Sequence, residues 1–455
     1  MRENIEKKQK PPITSSEQLD LIGITMDSER FNKPLSIAGI VAEINVYEDL
    51  SKGYLTADMV LQDDQDFYRM VDIVGTEKVT LEFTCPDEES AGSIELNFVV
   101  EEIISNARNS NNISIISFHL IEDIKFYSDL TRFSKAYTGT GEQIIASIVK
   151  DKLGRELVIE SESRSTQSVF RYIVPYQTPL NAIKTVLSKM TTESGMPFFF
   201  YSSIIDNKFY LTDLETILKT ESFNVNRPFV YDQSNTVRDD LESQIVNIAA
   251  IKSTLSENTH EIAQNGAIGS NYESVNATTG QNFGPYHIDM QEHFELLKDL
   301  QILPKEQNFV AIDKEFVADP AGIDRSPITS YNSKITTKII TQPYKDAYGF
   351  NQEAFPGQEK LSALRQSIFN HLLKNMYTIN MPGLLFTVKN IKSCVGHQVA
   401  MDIKRNDTDF GAVTIDEKRS GHFVILSKRH NFNIPSETHN ISLGLSKLAN
   451  RSSIA

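Results

Sequence analysis

Tryptophan is absent from the 455 residues, and cysteine occurs only at Cys85 and Cys394. One cysteine in each half of the chain gives neither a disulfide framework nor the paired spacing of a zinc site, a usage that fits assembly in a reducing cytoplasm. No apolar run approaches the roughly 18 residues of a membrane span, and Met1 to Pro12 is charged where a signal peptide would carry an apolar core. Basic excess is missing as well. The 45 Lys plus Arg stand against 60 Asp plus Glu, a formal charge of −15, so the chain as a whole lacks a sequence-independent grip on nucleic-acid phosphates.

Catalytic signatures are equally scarce. There is no Gly-rich phosphate loop ending in Lys-Ser or Lys-Thr, no dinucleotide fingerprint, no His-Glu-x-x-His and no Gly-x-Ser-x-Gly elbow. Gly139-Thr140-Gly141 precedes a helix and could present N–H groups to an anion, but ordinary capping accounts for the same residues. The nine histidines are scattered, with His287 near His293 and with His422, His430 and His439 in series; none has metal-ligand spacing, and they read as solvated or core residues. Asp63-Asp64-Gln65-Asp66 and Asp87-Glu88-Glu89 lack the glycine and final glutamate of a calcium loop and read as surface charge. Lys404-Arg405, the best local candidate for single-strand contact, is offset by Asp407 and Asp409. The reading is a protein that is not an enzyme and holds no metal or cofactor.

What is present is material for folding. Hydrophobic residues make up 40% and charged residues 23%, too apolar for a disordered chain, and the length suggests about three compact units. The 25 phenylalanines and 16 tyrosines, with abundant Ile, Val and Thr, favour strands.

Residues 1–33 read as an N-terminal extension. From 34 to 125 the pattern is strand, turn, strand. Ile40, Ala42, Ile44 and Val46 alternate with Val41, Glu43 and Asn45, and Leu55, Ala57, Met59 and Leu61 resume after Asp49 to Gly53. Val79 to Phe83, Ile94 to Val100 and Ile113, Ile115, Phe118 and Leu120 then supply the strands of a first barrel-like domain.

From 126 to 230 the period changes to an α+β unit. Thr140-Gly141-Glu142-Gln143 is a capping-box pattern, and the helix after it ends at Gly154. A second helix starts at Thr178-Pro179 and ends near Gly195. Phe198 to Tyr201 and Lys208 to Leu211 pair across Asp206-Asn207, and that aromatic cluster reads as core. Residues 231–455 read as a second barrel-like β domain. It has strands at Ser243 to Leu255, Phe309 to Val317 and Ser333 to Thr341, a helix at 358–377 broken by Met381-Pro382-Gly383, and C-terminal strands led by Gly421 to Ser427. Asn258 to Pro285, poor in apolar anchors, reads as a long loop. Asn265, Gly266, Gly269, Tyr272, Gly280 and Phe283 are its candidate partner contacts. No internal repeat is evident. The fold class is mainly β with an α+β insertion, two barrel-like β domains flanking or enclosing the smaller unit.

Three segments in this order resemble a known family. They are Tyr137 to Ile145 with its helix to Leu153; Val174-Pro175-Tyr176-Gln177-Thr178-Pro179 through Gly195 to Tyr201; and the helix near Tyr377 with Ile379 to Gly383, followed by Ser420 to Phe432. The family is the baseplate central hub proteins of contractile-tailed bacteriophages, related to the hub portion of type VI secretion spikes. The resemblance implies a homotrimer presenting six similar β units around a channel, matching a sixfold tail tube to a threefold spike. The implied partners are the tail tube protein, the central spike protein and baseplate wedge proteins, in a virion tail assembled in the host cytoplasm, with DNA passing transiently and without specific binding. The segment 258–285 matches no family motif, and no spike or lysozyme-like segment follows Leu448, so a separate polypeptide is expected to form the spike. The alternatives are another β-rich virion or receptor-binding protein, which would not need the α+β unit, and a tail-associated cell-wall hydrolase, for which no paired carboxylates stand out.

Overall fold

A computed structural model describes residues 15–451 apart from 65–66, 68–70, 72, 85–92, 109–112, 162–169, 233–239, 256–268, 277–279, 281, 304–306, 309–334, 341–357, 387–390, 407–412, 418 and 449. The protein is mainly β, with large antiparallel sheets and an α+β insertion.

The first strands are β1 (Leu21–Asp27), β2 (Leu35–Ser36), β3 (Val41–Asp49), β4 (Thr56–Asp63), β5 (Lys78–Thr84), β6 (Ser93–Arg108) and β7 (Ser114–Glu122). Their alternating apolar residues enclose one core that includes Ile24, Val46, Met59, Leu81, Phe98 and Phe118. Two expected alternations change phase. A bulge between Val41 and Glu43 turns Val41 inward where Ala42 was expected, and in β7 Ile116 is buried while Ile115 faces out. An extra residue in one strand shifts every later side chain to the opposite face, which the period alone does not reveal. Asp63, expected to be solvated, is buried and accepts the Phe67 N–H at 2.8 Å.

The α+β unit contains α1 (Asp123–Leu130), β8 (Ala136–Gly139), α2 (Gly141–Ile148), β9 (Leu157–Ile159), β10 (Phe170–Ile173), α3 (Pro179–Leu187), β11 (Phe198–Ser202), β12 (Phe209–Asp213) and α4 (Leu214–Lys219). The Thr140–Gln143 capping box forms in both directions, so the N-terminus of α2 satisfies itself. A wide turn over Val149–Leu153 carries the helix on to Gly154, whose φ of 65° is left-handed. Helix α3 ends at Leu187, one to two turns earlier than the pattern indicates. Gly195 (φ 78°) instead closes a turn whose N–H reaches the Thr192 carbonyl at 3.0 Å. Strands β11 and β12 pair as expected, and all ten of their residues are buried.

The remainder comprises β13 (Phe229–Tyr231), α5 (Leu241–Ile245), β14 (Ala250–Leu255), β15 (Gly269–Asn276), β16 (Asn282–Asp289), α6 (Met290–Asp299), β17 (Gln307–Asn308), β18 (Ile335–Ile340), α7 (Gln358–Lys374), β19 (Asn375–Pro382), β20 (Gln398–Asn406), β21 (Val413–Ile415), β22 (Gly421–Asn433), β23 (Thr438–Ser446) and β24 (Asn450–Arg451). Three expectations are corrected here. Ser243 lies in the short helix α5, because Asp240 accepts the Ser243 N–H and caps a turn before β14 begins. Met376 and Tyr377 belong to β19 rather than to the preceding helix, and Met381-Pro382 ends that strand. The ladder β19–β23, from Met376↔Ser446 to Pro382↔Asn440, captures the segment. The expected loop 258–285 carries β15 and most of the start of β16, which pair with each other and, in parallel, with β18. Tyr272 and Ile288 anchor this small sheet in the core, a contact that local composition could not announce. The strand expected at Phe309 to Val317 lies outside the described residues.

One sheet runs through both β regions, in the order β14-β19-β23-β22-β3-β4-β7-β6-β5-β1-β2, with β20 also paired to β22. Strand β22 joins them. Its first part, Gly421 to Val424, pairs with β20, and after a bulge between Ile425 and Ser427 its second part, Ser427 to Asn433, pairs with β3.

Candidate functional site: the seam between the two β regions

The β3–β22 seam has two unlike faces because side chains alternate across a strand. Inward, Glu48 of β3 lies opposite Lys428 of β22, their Oε2 and Nζ 2.5 Å apart and both fully buried. Lys428 also donates to the Ser393 carbonyl at 3.2 Å, and Glu48 Oε1 accepts the Ile204 N–H from the β11–β12 turn at 2.8 Å. This one ion pair therefore ties β3 and β22 to the α+β unit and to the segment before β20. Burial by itself would raise the Glu48 carboxyl, but the Lys428 charge and His430 outweigh it and hold the group at about 2.

His430 and His439 complete the cluster. Nδ1 of His430 lies 3.0 Å from Nε2 of His439, and the two rings stack with Phe432, which continues the pile to Phe83. Burial pushes His430 down to about 4, and burial with the neighbouring His430 and Lys428 pushes His439 well below its ordinary value. Both are neutral rings at ordinary pH. His439 packs directly against Gly383, where any Cβ would overlap the ring. That contact gives a packing reason for the glycine in Met381-Pro382-Gly383. Nearby Cys394 is buried, and burial raises its thiol to about 12, so it is inert as a nucleophile.

The outward face is polar and carries side-chain hydrogen bonds on strands from β19 to β7. Ser442 donates to Asn380 at 2.7 Å, Arg429 Nε to Asn45 at 2.8 Å, and Asn431 to both Glu43 (2.5 Å) and Asn45 (2.8 Å). Tyr47 donates to Asp58 at 2.9 Å, and His119 Nδ1 lies 2.7 Å from Asp58 Oδ1 with Nε2 3.7 Å from Glu101. These are cross-strand neighbours on one face, the positions that stabilise a sheet pairwise. A groove of about 530 Å³ opens on it, lined in part by Tyr47, Asp49, Lys52, Asn380 and Arg429. Of its basic side chains, Arg429 is already engaged by Glu43 and Asn45.

A second buried pair holds the α+β unit in place. Glu122, at the end of β7, accepts Arg155 Nη1 at 2.5 Å and the Leu55 N–H at 2.7 Å, and Arg155 also donates to Ser202 at 3.1 Å.

Of the residues singled out as partner contacts, Asn265 and Gly266 lie outside the described residues. Gly269 and Tyr272 are in β15, both buried, and Tyr272 packs in the core, so it is not available to a partner. Phe283 pairs through its backbone with Ser274, and Gly280 is exposed in the turn with φ 71°. Of the seam residues, His430 and His439 were read as solvated or core and are core, whereas Glu48 and Lys428 were not singled out in the sequence; the one available signal was charged residues at inward positions of strongly alternating strands. Lys404, weighed as a nucleic-acid contact, is bound to Asp232 at 3.2 Å. Among the described residues no group of three or more His, Cys, Asp or Glu could hold a metal, and no helix is long and apolar enough to cross a membrane.

No protein-family model and no curated protein matches this sequence. Solved structures do share its fold. A tail protein from Neisseria meningitidis MC58 superposes with a TM-score of 0.50 at 9% identity, over 93% of this chain and 96% of that one. The 43 kDa tail protein of prophage MuSo2 from Shewanella oneidensis gives 0.49 at 10% identity, over 94% and 98%. A prophage tail protein from Listeria monocytogenes gives 0.44 at 11%, over 95% and 96%. The resemblance to tail proteins read from the sequence therefore holds at the level of the fold.

Proposed function

We propose that this chain is a non-enzymatic hub of a contractile phage-tail baseplate, assembling as a homotrimer between the sixfold tail tube and a threefold spike. The observation that carries the reading is the single antiparallel sheet crossing two β regions, with a polar, hydrogen-bonded outer face. Such a face needs neither an apolar cover nor a ligand, and in a trimer it lines a wet channel. Glu43, Asp58, Glu101 and Glu102 make that lining acidic, which keeps DNA from adhering as it passes. The α+β unit is fixed by Glu122–Arg155 and by Glu48–Ile204, and it serves as the shoulder for wedge proteins. The exposed turn at Gly280 meets a tail component.

Negative-stain images of the purified protein test this reading. Ring-shaped particles with threefold symmetry and an open centre are expected, together with no retention of double-stranded DNA at physiological salt. Particles that stay monomeric at micromolar concentration and with the spike protein added would refute it.

A further inference from the structure

Strands β14 and β6 stand at the two ends of the run β14-β19-β23-β22-β3-β4-β7-β6. Strand β6 outlasts its partner on one side. Ser93 to Val99 pair with β5, but beyond Val100 only β7 pairs with it among the described residues. Glu101 to Arg108 thus offers an open backbone flank, and every residue of it except Ile103 is exposed. At the far end, β14 pairs only with β19 among the described residues, and its Lys252 and Ser253 are exposed. Open edges of about 26 Å and about 20 Å are templates for another chain.

We propose that Glu101–Arg108 of one copy pairs antiparallel with Ala250–Leu255 of the next copy, joining their polar sheets edge to edge; this rests on the hub reading above. Three observations carry it. Every neighbouring pair in the run is antiparallel and the run has eight strands, so the terminal strands point in opposite directions. When copies stand side by side in one orientation, β6 of one and β14 of the next are therefore antiparallel. The edges also differ in charge: Glu101, Glu102 and Arg108 leave one net negative and Lys252 makes the other positive, so unlike edges attract. Finally, Glu102 lies opposite His119 and Lys252 opposite Thr378, which puts both on the polar face, where they meet as cross-strand neighbours. Pairing of unlike edges is head-to-tail and makes rings when its rotation closes. Bulges after Val100 and Ile103 bend β6 as strands bend at barrel rims.

The test uses the full-length chain with Cys85→Ser, which leaves only buried Cys394. Lys252→Cys is combined in turn with Glu102→Cys and with Ser105→Cys, and each protein is treated with a short bismaleimide. At least one combination is expected to give a dimer and trimer ladder on denaturing gels, with no ladder from any single variant. Lys252→Glu should raise the concentration needed for assembly several-fold, and adding Glu102→Lys should restore it. Trimeric rings without a ladder from either combination would overturn the edge pairing and leave the hub reading standing. Dimers from a single variant would overturn it by showing like-edge pairing, and a protein that stays monomeric would overturn both.

Discussion

Lys428 and Glu48 carry a cost and a return that can be separated by substitution. Their desolvation is offset by a close ion pair and by bonds to the Ser393 carbonyl and the Ile204 amide. Lys428→Ala leaves a buried carboxylate without its cation and is expected to destabilise by about 3–5 kcal/mol. Glu48→Gln with Lys428→Met removes both charges and should cost clearly less, which chemical denaturation of the three proteins would measure. The histidines add a pH dependence. His430 titrates near 4 when folded, below its ordinary value near 6.5, so below pH 6.5 the unfolded chain takes up a proton that the folded chain refuses. Stability contributed by the neutral ring is full above about 6.5 and falls toward pH 4, by on the order of 3 kcal/mol. Glu48 acts later, its contribution present above about 4.5 and lost toward 2. His430→Gln should flatten the decline between pH 6.5 and 4 in denaturation midpoints; an unchanged slope would assign it to other groups.

At the scale of elements, the turn after α3 shows how one residue couples two helices. Gly195 is left-handed, and a Cβ there would lie 2.5 Å from Leu364 Cδ2 of α7. Gly195→Val therefore faces both a disfavoured backbone and a collision with a residue of another core, and a loss of about 2–4 kcal/mol is expected from the two together. Thermal melting checks the size, and adding Leu364→Ala should recover the part due to the collision but not the backbone part. The helix itself stops at Leu187 regardless of this glycine. Its length was misread because Met190, at a helical spacing, is buried although the chain has already left the helix.

Across the whole molecule, the cores are not sealed off by the chain order. Phe432 and Ile434, from the end of β22, lie in the core enclosed by β1 to β7, as do Ile204 and Ile205 of the β11–β12 turn. A fragment ending at residue 130 lacks these and exposes Glu48 and the open side of β3. It is expected to be unfolded or aggregated, with poorly dispersed amide resonances in an NMR spectrum; a cooperative melt of that fragment would show that the first β region folds alone. Strand β22 is shared by both β regions.

Local chemistry was enough for what depends on neighbours in sequence. The Thr140–Gln143 capping box, the Pro179 helix start, the Asp206-Asn207 hairpin turn and the alternation in β4 and β5 were all legible, because each is fixed by side chains a few residues apart. Absence of catalytic motifs could also be read directly. Tertiary structure alone decided the rest. Whether Gly269 to Asp289 is loop or strand depended on β18 and on a core pocket for Tyr272, and the bulges in β3, β6 and β22 reset which side chains face inward. The seam pairs residues as far apart as Glu48 and Lys428. No periodicity records such a contact, because the desolvation of the two charges is offset only by their pairing with each other, and that pairing exists only once the sheet has formed.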